Sequence, residues 1–254
     1  MLVFARLHRA AALVLVVSLL GACAGSNGTA ITPEGINDPN EAGNRRTHEF
    51  NRSLDRALIR PAGVGYTNFV PDALEDGITN FALNLEEPKN AVNSLLQGDL
   101  RGMGLSLVSF VTNTTLGIGG LFNPTRELGI PENDTDFGET LYVWGVGEGN
   151  YVELPFLGPS TTRATFGLFV DLFTNPLNTV FDDRSRAFYL TPAGLASGLS
   201  ARGRFTDTID SILYESADSY AQARLIYLQN RRFRLGDTES SADIDPFELD
   251  TEGF

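Results

Sequence analysis

The stretch NLEEPKNAVNSLLQGD, residues 84–99, decides how the chain is read. Its neighbouring carboxylates, Glu86 and Glu87, invite reading as an acid–base pair. Residues one apart on a helix diverge by about 100°, so these two cannot share a proton or flank one bond. Pro88 instead suits the first turn of a helix, where a missing N–H costs nothing, and acids just ahead of it favour the positive end of the macrodipole. Val92, Leu95 and Leu96 are expected to form a buried stripe, Gly98 to take the left-handed position that ends the helix, and Asp99 to cap the next one. Every residue has a structural job, which predicts a corner between two helices rather than a catalytic site.

Helical spacing continues on both sides of this corner. Upstream, Asp38, Pro39 and Glu41 are placed as a capping box, and Phe50, Leu54 and Leu58 recur every four residues until Arg60-Pro61, where the helix is expected to end. Pro71 opens another helix with apolar positions Leu74, Ile78, Phe81, Ala82 and Leu85. Downstream, Gly102 to Thr125 carries no charge, yet Thr112 to Thr115 are polar and Gly117, Gly119, Gly120 and Pro124 break the second half. A simple membrane span does not fit; a helix to about Thr115 followed by a glycine hinge does. Gly145, Gly147 and Gly149 cluster around Trp144 without the strand-then-helix context of a dinucleotide loop.

The N-terminus places the chain in a compartment. Arg6 and Arg9 precede an apolar run from Ala10 to Leu20, and Leu20-Gly21-Ala22-Cys23 follows, with Cys23 the one cysteine in the chain. This pattern reads as a signal peptide over residues 1–22 with Cys23 as the expected lipidated residue, and residues 23–37 read as a lipidated tether. A lipidated Cys23 leaves no thiol for a disulfide, a cysteine nucleophile or a Cys-based metal site. The helical body is assigned to residues 38–235 and an acidic, disordered tail to residues 236–254, where seven acids and no base follow Arg234. A formal charge of −13 argues against a nucleic-acid partner.

Several motifs in one order resemble the MlaA/VacJ lipoproteins. They are Asn44-Arg45, Phe50-Asn51, Leu54-Asp55, Arg60-Pro61, Asn80-Phe81, the 84–99 stretch, NTTLGIGGLF from Asn113 to Phe122, and DFGETLYVWGVGEGNYVELPFLGPSTTR from Asp136 to Arg163. Further on, Tyr227-Leu-Gln229 and Arg231-Arg232 are similar to the family's C-terminal helix. The resemblance implies an all-α fold: a ring-like assembly of amphipathic helices with a short hairpin and a glycine-rich loop, embedded in the bacterial outer membrane and exposed to the periplasm. It implies a neighbouring trimeric porin, phospholipid as the transported substrate, a soluble periplasmic phospholipid carrier as recipient, and no cofactor or metal.

A lipid path must offer polar groups to a headgroup and apolar surface to tails. Trp144, Gly145, Gly147, Glu148, Gly149, Asn150, Tyr151, Glu153, Leu154 and Pro155 supply both and are expected to line or gate it. Phe50 and Asn51 are expected to set the position of that segment, and Gly117, Gly119 and Gly120 to act as a hinge. Two other classes compete: a porin-associated structural adaptor without a conduit, and a lipid-acting hydrolase. Against the hydrolase, no Gly-x-Ser-x-Gly elbow is present, and His48 is expected on the polar side of its helix as a solvated or interfacial histidine rather than a base.

Overall fold

A computed structural model describes residues 36–177 and 191–237; the stretch read as a signal peptide, Cys23, nearly all of the expected tether and most of the expected tail lie outside the described residues. The first helix, α1 (Glu41–Leu54), starts without the expected capping box. Asp38 is buried instead, accepting from Asn44 Nδ2 at 2.8 Å, from Arg224 Nη1 at 2.7 Å and from the Tyr220 hydroxyl. A buried carboxylate gains more from a guanidinium than from two exposed amides.

Pro61 does not end the helix. The chain passes through a π-helical turn (Asp55–Ile59) directly into α2 (Arg60–Phe69). In a regular α-helix the proline ring would strike the carbonyl four residues back; one extra residue in the turn moves that carbonyl aside. The wide turn also faces Asp55 inward, where Arg202 donates twice at 2.8 Å and Tyr214 once at 2.6 Å.

Helices α3 (Asp72–Asn84), α4 (Glu87–Gln97) and α5 (Leu100–Thr115) follow. The 84–99 corner has the expected joints: Pro88 sits in the first turn, Gly98 ends α4 at φ 78°, and Asp99 Oδ1 accepts from Gly102 N at 2.9 Å. Its buried face differs from the expectation. Leu95 is 54% exposed and Leu96 is also exposed, whereas Asn90, Ala91, Asn93 and Ser94 are buried. Helix α3 does the same, exposing Leu74 while burying Glu75, which accepts from Arg204 Nε at 2.7 Å. Helix α5 buries Ser106, Ser109 and Asn113 and exposes Leu107, Val108 and Val111. Asn133 joins α4 to α5 by donating to Ser94 Oγ and Ser106 Oγ, both at 2.9 Å. Polar groups thus hold the helices together while leucines face out, the reverse of a water-soluble bundle.

After the bend at Gly117 to Gly120 come α6 (Pro124–Glu127), α7 (Phe137–Val143) and a hairpin of β1 (Tyr151–Leu154) and β2 (Gly158–Thr161). The strands are antiparallel, with Tyr151 opposite Thr161 and Leu154 opposite Gly158. Then follow α8 (Thr162–Thr174), α9 (Thr191–Arg204), α10 (Thr206–Asp210), a second π-helical turn (Ser211–Glu215) and α11 (Ser219–Arg234). Packing runs in a closed circuit: α1 on β1, β2 on α8, α8 on α7, α7 on α4, α4 on α5, α5 on α3, α3 on α9, and α9 on α2, which continues α1. The helices therefore form a ring. A small apolar core of Ile36, Tyr151, Tyr220 and Leu228 fastens α11 to the hairpin. Among the described residues no helix is long and apolar enough to cross a membrane.

Candidate functional site

Hairpin, α8, the start of α7, the start of α4 and α11 line a half-open cavity of about 650 Å³. Its wall has two chemistries. Lys89, Asp136, Asp171 and Arg231 supply charge, while Leu154, Leu157, Leu168 and Leu172 supply apolar surface.

The charged part is held by short contacts. Lys89 Nζ lies 2.6 Å from Glu86 Oε2; burial alone would lower its pKa, and the carboxylate outweighs that, leaving it above the ordinary value. Asp136 caps α7 by accepting from Glu139 N at 2.9 Å and pairs with Arg231 at 2.6 and 2.7 Å. Burial would raise the Asp136 pKa, but the Arg231 hydrogen bonds and charge hold it below the usual carboxylate value. Asp171 accepts from Asn93 Nδ2 at 2.9 Å and from Phe137 N at 3.0 Å. Burial nevertheless pushes the Asp171 pKa up. Gly167, one turn before Asp171, lets α8 approach α7 closely, since a Cβ there would meet Gly138 N at 2.2 Å.

The hairpin is clasped by α1. Asn44, His48 and Asn51 recur at helical spacing and so reach the same strand. Asn44 Oδ1 accepts from Glu153 N at 3.1 Å and its Nδ2 donates to Tyr151 O at 3.2 Å. Asn51 Nδ2 donates to Leu154 O at 2.9 Å. His48 is interfacial rather than solvated: it is 5% exposed, with Nδ1 3.3 Å from Glu153 Oε1 and Nε2 3.1 Å from Ser219 Oγ. The polar face of α1 meets polar hairpin and α11 groups rather than water. The carboxylate–imidazole–hydroxyl row looks like a hydrolase triad, but neither this cavity nor a second one lined by Leu83, Phe122 and Arg204 is lined by His48 or Ser219.

The residues expected to form the path fall into several environments. Trp144 is exposed and donates from Nε1 to Leu96 O at 3.0 Å; Gly145 ends α7 at φ 84°. Gly147 has open space around it, and Gly149 takes φ 77° against Thr162. Glu148 pairs with Arg232 at 2.8 Å, and Asn150 accepts from Asn37 at 3.0 Å. Tyr151 and Glu153 are buried and hydrogen-bonded to each other, Pro155 is exposed at the turn, and Leu154 alone of this set lines the cavity. Phe50 stacks edge-on against Phe156 with ring centroids 5.3 Å apart. Gly117 and Gly120 fit where a Cβ would strike Asn113 O and Asn84 Nδ2, and Gly119 takes φ 72°.

The cavity residues outside that expected set, Lys89, Asp136, Asp171 and Arg231, carried some signal. Lys89 and Asp136 stand inside the two longest motifs, and Asp171 is the one acid in the apolar run ATFGLFVDLFT. Among the described residues no His, Cys, Asp and Glu cluster could hold a metal ion.

A family model for MlaA lipoproteins matches residues 36–234, the whole of this ring and both walls of the cavity. The chain belongs to the MlaA lipoprotein family. It is 36% identical over 233 residues to the intermembrane phospholipid transport system lipoprotein MlaA of Escherichia coli K12, covering 89% of this chain and 88% of that one. The Haemophilus influenzae protein of the same name is 32% identical over 231 residues, covering 89% of each. A solved structure described as "Structural basis for maintenance of bacterial outer membrane lipid asymmetry" superposes with a TM-score of 0.67 at 34% identity, covering 78% of this chain and 98% of that one. The MlaA match also spans α9, which none of the resembling motifs reaches.

Proposed function

We propose that this MlaA-family chain serves intermembrane phospholipid transport, giving phospholipid misplaced in the outer leaflet a path through the ring and so maintaining outer-membrane lipid asymmetry. It is a transport lipoprotein and not an enzyme. The observation that carries the path is the two-chemistry cavity: Lys89 and Arg231 suit a phosphate, and Leu154, Leu157 and Leu168 suit acyl chains. The outward leucines of α3, α4 and α5 support a body set into lipid, and a lipidated Cys23 would hold it there. The exposed apolar periphery also has room for a trimeric porin. Phospholipid would leave toward the periplasm to a soluble carrier, with the Trp144 to Pro155 segment lining or gating the way. An adaptor that only braces porins would need no cavity of this kind.

Filling the cavity tests this. Leu168→Trp should leave protein level and porin association intact while phospholipid accumulates at the cell surface, read by its accessibility to an added headgroup-reactive label. Normal clearance with a filled cavity would place the path elsewhere.

A further inference from the structure

Asp171 is 8% exposed in the cavity wall, and both its oxygens accept from neutral donors, Asn93 Nδ2 and the Phe137 amide. The other acids of that wall face bases: Glu86 pairs with Lys89 at 2.6 Å and Asp136 with Arg231 at 2.6 Å. Arg234, also in the wall, turns to Asp134 at 2.7 Å. Asp171 is thus the one acid of this wall with no base within ion-pair distance among the described residues; the charge of Lys89 reaches it only through space. Such a charge is unfavourable unless a cation reaches it. Lys89, meanwhile, has three ammonium donors and a single carboxylate partner in Glu86, so it keeps donors for another acceptor.

We propose that Asp171 and Lys89 sort lipid headgroups, favouring a zwitterionic phosphoethanolamine headgroup over an anionic phosphoglycerol one. This deepens, and rests on, the assignment of the cavity as the phospholipid path. The zwitterion's ammonium donates to Asp171 and its phosphate accepts from Lys89, so every charge finds its opposite while the leucines take the tails. A phosphoglycerol headgroup brings the same phosphate but no cation. Its hydroxyls can donate to Asp171 without neutralising it, and the lipid brings a net negative charge to a wall whose three acids and three bases otherwise balance.

The test uses the full lipidated protein reconstituted in vesicles of phosphatidylethanolamine and phosphatidylglycerol at a known ratio, re-extracted, with bound lipid identified by mass spectrometry. Bound phosphatidylethanolamine should exceed its share in the vesicles by about tenfold. Asp171→Asn should bring the bound ratio to that of the vesicles. Leu168→Lys, three residues away on the same helix and also in the wall, keeps the hydrogen bonds of Asp171 while supplying its missing cation, and should shift the ratio toward phosphatidylglycerol. That second variant carries the test if the first does not fold. Bound lipid without enrichment, or enrichment that both variants preserve, overturns headgroup sorting and leaves the path standing. Native protein that retains no phospholipid overturns both.

Discussion

Asn51 of α1 bonds the hairpin turn with both ends of its amide: Nδ2 donates to Leu154 O at 2.9 Å, and Oδ1 accepts from Phe156 N at 2.8 Å. The turn has little else to fix it, since Phe156 is exposed and lies at φ 68°, an unfavourable region for a residue with a side chain. Asn51→Ala removes both bonds, together with a longer one from Nδ2 to Glu153 Oε1 at 3.3 Å, and should cost about 1 kcal/mol locally. Amide hydrogen exchange should speed up across residues 154–158 while α4 and α5 stay protected. Uniform exchange throughout the chain would instead mean that Asn51 holds the whole fold.

Glu87 makes stability depend on pH near neutrality. Burial pushes its pKa up to about 7 against a lowering hydrogen bond with Ser106, and Glu132 and Asp134 add to the rise. An unfolded glutamate titrates near 4.3, so between about pH 4 and 7 the folded chain binds the extra proton. The resulting stability is present at acid pH and lost as pH rises through 7. Glu87→Gln should therefore raise the thermal midpoint at pH 8 by the equivalent of about 1 kcal/mol, after discounting for solvent screening, and leave it nearly unchanged at pH 4.5. Equal shifts at both pH values would contradict this assignment.

Much of the 84–99 corner was legible because its signals are local: Pro88, Gly98 and Asp99 act within one turn of themselves. The direction of burial was not. Spacing identifies Leu95 and Leu96 as one face of a helix, but periodicity says nothing of whether that face meets protein or lipid, and here they point outward. Pro61 misled for a different reason, because a π-helical turn depends on Asp55 being drawn to Arg202, 147 residues away. The cavity was legible only in part. Leu154 sits in a motif with visible lipid-path chemistry, whereas the importance of Asp171 emerges only when the ring brings it into one wall with Lys89 while Lys89 contacts Glu86 instead.

Gly167 is where α7 and α8 touch. A methyl group there would overlap Gly138 N at 2.2 Å and Gly138 Cα at 2.6 Å, both backbone atoms that cannot rotate away. Gly167→Ala should destabilise by about 1–3 kcal/mol and part Asp171 from the Phe137 amide. Gly198→Ala on α9 has nothing within 4 Å and should be neutral or stabilise by up to about 1 kcal/mol through helix propensity. Thermal melting of the two variants side by side checks the contrast.

Cys23 is expected to anchor the ring, because it is the single cysteine and follows the apolar leader directly. Cys23→Ser should leave the precursor unlipidated and shift the protein out of the outer-membrane fraction, even though the ring itself carries exposed leucines. Fractionation of cells carrying the variant decides it: stable outer-membrane placement without lipidation would assign anchoring to the ring alone.

The hairpin is the element most suited to gate the cavity. Leu154 on β1 and Leu157 in the turn both face it, so displacement of the hairpin changes the apolar wall directly. Glycines with positive φ flank the first strand and turn, Gly149 at 77° and Gly158 at 80°, and allow backbone rotation there. What holds the turn against α1 is the Asn51 pair of bonds and the edge-on contact of Phe50 with Phe156. Cysteines at Phe50 and Phe156, bridged by a disulfide or a short bifunctional thiol reagent, would fix the turn to α1. Lipidation of Cys23 would leave no native thiol to compete. Bridged protein should lose outer-leaflet phospholipid clearance at unchanged protein level and porin association, and reduction of the disulfide should restore it. If bridged and reduced protein clear lipid equally well, the hairpin stays still during transport and the gate belongs to another wall of the cavity.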